Sequence, residues 1–154
     1  MERYEQAIQD LNCAIELDPT YEWVLVERAE IYFWKECYQE ALADLEKAVE
    51  LDPEDSWTWY NIALAMVLWK GISEAQVQLD TAHKAIQSKL DTKNRGEALY
   101  LIGGLAAVTG HHEEALNYLQ QAIPLEQQAV IWARHDIAWK DLHSDSRFQS
   151  LVNQ

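Results

Sequence analysis

Apolar residues recur at three- and four-residue intervals through almost the whole chain, a spacing that puts them on one face of successive helices. Ala7, Ile8, Leu11, Ala14 and Ile15 share such a face in a helix predicted over about 3–17. Asp18-Pro19 ends it, because the residue before a proline is pushed out of helical geometry. Thr20 is placed to cap a second helix, about 22–35, and a third runs over about 38–51 to Asp52-Pro53. Asp55 or Ser56 caps a fourth, about 57–69, broken at Lys70-Gly71. A fifth is expected from a Ser73 cap to about Leu90, a sixth from Asp91-Thr92 to about Val108, and a seventh over 112–123. After Pro124, residues 127–142 read as one continuous eighth helix, and Ser144-Asp145-Ser146 caps a short last one bearing Phe148, Leu151 and Val152.

The pattern also repeats at longer range. YEQAIQDLNCAIELDP, ending at Pro19, superimposes on YQEALADLEKAVELDP, ending at Pro53, at a spacing of 34 residues. The alanine–leucine–alanine triplet of Ala7, Leu11 and Ala14 returns as Ala41, Leu45 and Ala48. It appears again as Ala75, Leu79 and Ala82, and as Ala115, Leu119 and Ala122. Ala29, Ala63 and Gly103 are the matching small residues of the intervening helices. Small residues let helix axes approach closely, and a larger side chain there would overpack at about 1–3 kcal/mol. From Ala75 to Ala115 is 40 residues (115 − 75), six more than the period, which places an insertion in 88–95. A fixed period of this size is the signature of a stacked helical array.

These residues resemble the tetratricopeptide repeat family, clearly from Tyr4 to about Ala85 and again from about Gly96 to Pro124. The resemblance implies an all-α fold: a right-handed α-solenoid of TPR-like helix pairs with a C-terminal capping helix. On that reading, 1–154 is a single array. It comprises a half repeat over about 3–19, repeats over about 22–53, 56–90 and 92–124, and a capping tail over about 127–152. A terminal unit of this kind covers the last apolar face of a stack. The chain departs from the family at Cys37, where the turn between helices often has glycine, and at Ile72, where the turn usually has an aromatic.

The half repeat has a consequence. Tyr4, Ala7, Leu11 and Ala14 match the second helix of a pair whose first helix is not in the sequence, so the face of Ile8, Leu11 and Ile15 lacks its usual cover. The expectation is either a piece of a longer protein or self-association through the N-terminal helix.

In this family the first helix of each pair lines a concave groove. Mapped onto this chain, the candidates are Trp23, Val26, Glu27, Glu30 and Phe33; then Trp57, Tyr60, Asn61, Leu64 and Leu68; then Glu97, Tyr100, Leu101, Gly104 and Ala107. Tryptophan and tyrosine are enriched where interfaces concentrate binding energy. For Trp57, Tyr60 and Tyr100, exposed groove and buried packing are both compatible with the spacing, whereas Trp34, Trp69, Trp132 and Trp139 read as packing wedges. The resemblance does not extend to the clamp with which some members hold the C-terminal carboxylate of chaperones. Asn61 matches one clamp asparagine, but Val26, Glu97 and Leu101 stand at the cationic positions.

Composition narrows the partner. A formal net charge of −14 repels phosphate backbones and argues against nucleic acid. The longest apolar runs, such as Ile62 to Trp69, are too short to span a membrane. No basic-then-apolar leader is visible at the N-terminus, and Cys13 and Cys37 lack nearby cysteine or histidine partners. Both thiols are expected buried or half-buried in a reducing compartment, and the expected location is cytoplasmic.

Catalytic and metal chemistry find little footing. None of His83, His111, His112, His135 and His143 pairs at zinc-helix spacing, and no phosphate loop or nucleophile elbow occurs. Asp136, beside His135 and two turns from His143, is the residual candidate. No cofactor is expected. The leading expectation is a non-catalytic protein–protein interaction scaffold that takes an apolar or amphipathic peptide or helix, with basic flanks, into its groove. The alternatives are a structural or sensor array of a larger protein with its groove filled in cis and, further off, an enzyme.

Overall fold

The computed structural model describes residues 2–153, and among these the regular structure is helical throughout. Helix α1 is Glu2–Leu17, followed by α2 Glu22–Trp34 and α3 Tyr38–Leu51. The next two pairs are α4 Ser56–Lys70 with α5 Gln76–Gln87, and α6 Arg95–Val108 with α7 His112–Ala122. Three pairs, α2/α3, α4/α5 and α6/α7, pack internally and stack in chain order, making an α-solenoid. The recurring small residues sit where the helices touch: Ala29, Ala41, Ala48, Ala63, Ala75, Ala82, Ala115 and Ala122 have no exposed surface. None of these helices is long and apolar enough to cross a membrane.

Helix α1 lies against α2, and side chains tie the two together. Arg28 donates to Asn12 and, with two bonds of 2.7 and 2.5 Å, to Asp44 of α3. Lys35 pairs with Glu5. Ile8 is buried, while Leu11 and Ile15 remain half-covered.

Several local expectations are revised. Thr20 does not cap α2; its amide and hydroxyl both bond to the Asp18 carboxylate in a turn of their own. Asp55 does cap α4, accepting from the amides of Trp57 and Thr58. Helix α5 does not start at Ser73 or reach Leu90, because turns occupy 72–75 and 88–92. The extra residues are spent in turns rather than in a longer helix.

The turn before Cys37 takes the left-handed conformation at Glu36, φ 58°, and Gly110 takes it in the last pair, φ 84°. In both turns the amide one residue later returns to a carbonyl five residues back, Cys37 to Tyr32 and His111 to Ala106. The position that calls for glycine is therefore Glu36, one residue before the departure seen in the sequence.

The largest revision is in the tail. Instead of one helix over 127–142, the chain forms α8 Ala129–His135, breaks at an extended Asp136, and continues as a 3₁₀ helix, Ile137–Leu142. Asp136 makes the break by capping that second segment, accepting the Ala138 amide at 2.9 Å. The 3₁₀ helix packs on α6, and α9 Ser146–Val152 packs on α7 and α8. Asp145 caps α9 through the amides of Arg147 and Phe148, as the sequence indicates.

Candidate functional site

The first helices of the three pairs, α2, α4 and α6, share one side of the stack, and the tail folds onto that side. Between them lies a cavity of about 480 Å³. Helix α2 supplies Trp23, Glu30, Phe33 and Trp34; α4 and its cap supply Asp55, Trp57 and Asn61. Asn94, Glu97 and Tyr100 come from α6 and the turn before it, and Trp132, His135, Asp136 and Ile137 from the tail.

Seven of the expected groove residues stand in this wall: Trp23, Glu30, Phe33, Trp57, Asn61, Glu97 and Tyr100. Others do not. Val26, Tyr60, Leu64 and Leu101 were expected to face the groove, but the structure buries them in the core. Glu27 is exposed yet lies outside the cavity lining. A helix offers one stripe to the concave side, and each of these residues falls just outside it. Conversely, Trp34 lines the cavity and is partly exposed rather than wedged in the core, Trp132 both lines the cavity and packs against the core, and Trp69 is partly exposed beneath the Lys70 ammonium, 3.8 Å from its ring. Trp139 is fully buried, as expected of a wedge. Cys13 is exposed rather than covered, and Cys37 is half-buried.

The aromatic wall is continuous. Trp57 meets Trp23 edge-on at 6.5 Å and Trp132 edge-on at 5.0 Å, with interplanar angles of 86° and 80°. Tyr100 lies 5.7 Å from Trp57 and 5.2 Å from Trp132, and stacks on Trp139 behind it.

The polar element that locks the tail to this wall is Asp136. One of its oxygens, Oδ2, accepts the hydroxyls of Tyr60 at 2.6 Å and Tyr100 at 2.8 Å; the other takes the Ala138 amide. Desolvation raises the Asp136 carboxyl above its ordinary range, against the lowering pull of these bonds. Burial also raises both tyrosine hydroxyls, with the Asp136 charge adding to it. Each hydroxyl therefore stays protonated and donates. This network engages three of the roughly four lone-pair sites of the Asp136 carboxylate and pins the tail. Among the described residues no group of three His, Cys, Asp or Glu side chains is placed to hold one.

The open part of the cavity is acidic. Glu30 is an exposed residue of the cavity lining whose carboxyl nonetheless has protein atoms packed around it. Desolvation, with the like charges of Asp136 and Glu27, pushes its pKa up to about 7, while Asn61 donates at 3.4 Å and opposes the shift. Glu97, from α6, is raised for the same leading reason, with the Asp55 and Glu126 charges adding to it. Trp57 lowers it by hydrogen bonding and Lys89 by its charge.

Sequence reasoning missed the tail's contribution. Asp136, between the apolar stretches around Val130 and Ile137, is the signal that marked it, and its role as a helix break shows only with its tyrosine partners in place.

Comparison with known proteins agrees with the helix pairing. A family model described as tetratricopeptide repeat matches residues 23–55, and a second of the same description matches 96–128. Among solved structures, the crystal structure of MamA is similar at 16% identity over 97% of this chain and 85% of that one, with a TM-score of 0.49. YrrB, "a TPR protein with an unusual peptide-binding site", is similar at 19% identity over 99% and 76%, with a TM-score of 0.47. No curated protein matches the chain.

Proposed function

Since the chain belongs to the tetratricopeptide repeat family, we propose that it is a non-catalytic interaction scaffold that binds an apolar or amphipathic peptide at the mouth of its concave side. The observation that carries this reading is the cavity of about 480 Å³ bordered by two partly exposed tryptophans, Trp23 and Trp34. Large aromatics at the rim of a partly desolvated pocket are the usual anchors of binding energy. The tail fills the other part of the concave side, where Asp136 is tied to Tyr60 and Tyr100. Occupation in cis and binding in trans therefore divide the groove rather than exclude each other. The −14 charge favours peptides with basic flanks.

Two further parts of the proposal concern setting. Free Cys13 and Cys37 suit a reducing compartment, and we place the protein in the cytoplasm on that ground. The half-covered Leu11 and Ile15 of α1 suit self-association, which light scattering of the parent and of Leu11→Glu reads directly.

Panning a displayed random-peptide library on the immobilised chain tests the groove. Enriched peptides are expected to lose at least about ten-fold in affinity against Trp23→Ala/Trp34→Ala, a variant whose urea melt stays close to the parent's. No enrichment, or peptides indifferent to both tryptophans, would overturn the reading.

A further inference from the structure

We infer that the cavity seats an organic cation, the alkylammonium group of a lysine-type side chain carried by the bound peptide. The carrier rests on the scaffold reading above; the pocket chemistry stands on the cavity itself.

Three observations converge. The first is the shape of the aromatic wall. Trp57 stands nearly perpendicular to both Trp23 and Trp132, which keep exposed surface, and the fully buried Tyr100 backs Trp57. Ring faces turned in different directions surround a compact tetrahedral ammonium, which is attracted to a ring within about 6 Å of its centroid. A flat guanidinium instead favours one parallel face to stack on, so the box suits lysine over arginine.

The second is the balance of charge. Four carboxylates line the cavity, and among the described residues His135 is the one basic side chain in its wall. Asp55 caps α4 and Asp136 holds the tyrosines, while Glu30 accepts from Asn61 and Glu97 from Trp57, both neutral donors. Glu30 and Glu97 both line the cavity, from α2 and α6, and among the described residues neither is in an ion pair with a lysine or arginine. Desolvation leads in raising both carboxyls, with the Asp136 and Glu27 charges adding to it at Glu30 and the Asp55 and Glu126 charges at Glu97, so a cation seated beside either carboxylate would relieve a repulsion already present.

The third is size. A cavity of about 480 Å³ falls in the range that encloses a small ligand or an inserted side chain, and an apolar stem can run along the rings while its charged end reaches the carboxylates.

The test uses tryptophan fluorescence and calorimetry on the whole chain at fixed salt. Choline is compared with 3,3-dimethylbutan-1-ol, which has the same shape without the charge. A short glycine-flanked peptide is compared with lysine, trimethyllysine or acetyllysine at its centre. Choline is expected to bind at least about ten-fold more tightly than the alcohol, and the two charged peptides at least about ten-fold more tightly than the acetylated one. Glu30→Gln/Glu97→Gln should remove most of that preference, read as the ratio of choline to alcohol affinity in the same variant. An alcohol that binds as tightly as choline, or a double variant that keeps the preference, overturns the pocket assignment. In that case library-selected peptides that still depend on Trp23 and Trp34 would leave the scaffold reading standing. Choline selectivity without any selectivity among the peptides overturns the peptide-borne form.

Discussion

Asp136 accepts the hydroxyl of Tyr60 at 2.6 Å, although 76 residues of chain separate them. The bond joins the second helix pair to the tail across α6, and the Tyr100 hydroxyl joins it on the same oxygen. Replacing Asp136 with alanine leaves two fully buried hydroxyls without their acceptor, at about 1–3 kcal/mol each. The expected loss in urea unfolding is about 2–6 kcal/mol, and Asp136→Asn, which keeps an acceptor oxygen, should lose less. An alanine variant as stable as the parent would show that the network does not hold the tail.

Tyr60 reaches Asp136 only because α6 carries glycine where they cross. A Cβ on Gly104 would stand 2.3 Å from the Tyr60 hydroxyl and 2.9 Å from its ring. Gly104→Ala should therefore destabilise by about 1–3 kcal/mol through overpacking. In a double-mutant cycle, Tyr60→Phe removes the nearest of these atoms, and the two substitutions should be less than additive. Strict additivity would mean that the strain is relieved elsewhere.

Glu30 sets a pH dependence of stability. Its carboxyl has the ordinary value of about 4.5 when unfolded and is pushed up to about 7 when folded, so between those values the folded state holds a proton that the unfolded state has released. Its contribution is fully present below the unfolded value and is lost as pH rises through about 7. Asp136 and Glu97 are shifted in the same direction. Glu30→Gln, which stays neutral, should gain melting temperature relative to the parent on going from about pH 5 to about pH 8. A difference that is constant with pH would contradict the raised carboxyl.

Glu36 occupies the left-handed region at φ 58°, where Gly110 stands in the last pair. A side chain there costs about 1–2 kcal/mol, partly offset by the greater freedom of glycine in the unfolded chain. Glu36→Gly is expected to raise stability by up to about 1 kcal/mol, and a thermal melt reads it. A clear loss would show that the Glu36 side chain makes a contact worth more than its strain.

Helix pairing was legible because it depends on neighbours. Tyr38–Leu51 was bounded to the residue, and the buried alanines were named from their spacing alone. Each of those contacts joins elements adjacent in the chain, so a local period carries them. The site was legible only in part. Trp23, Glu30, Trp57, Asn61, Glu97 and Tyr100 were placed on the correct helices and do line the cavity. Val26, Leu64 and Leu101 sit one or a few positions around the same helices and turn inward, a rotation that a repeat period does not resolve.

The sequence by itself determined the array: the 34-residue period, the small residues that set helix separation and the proline stops all act within one unit or between successive units. Only the tertiary structure decided how that array ends. Residues 127–142 have a helical pattern, and nothing local forbids one unbroken helix. The break comes from Asp136, which meets Tyr60 and Tyr100 from 76 and 36 residues away. Leaving those buried hydroxyls unpaired would cost more than interrupting a helix whose own amide Asp136 can cap. That choice carries Trp132 and His135 into the concave side and turns an open groove into a cavity.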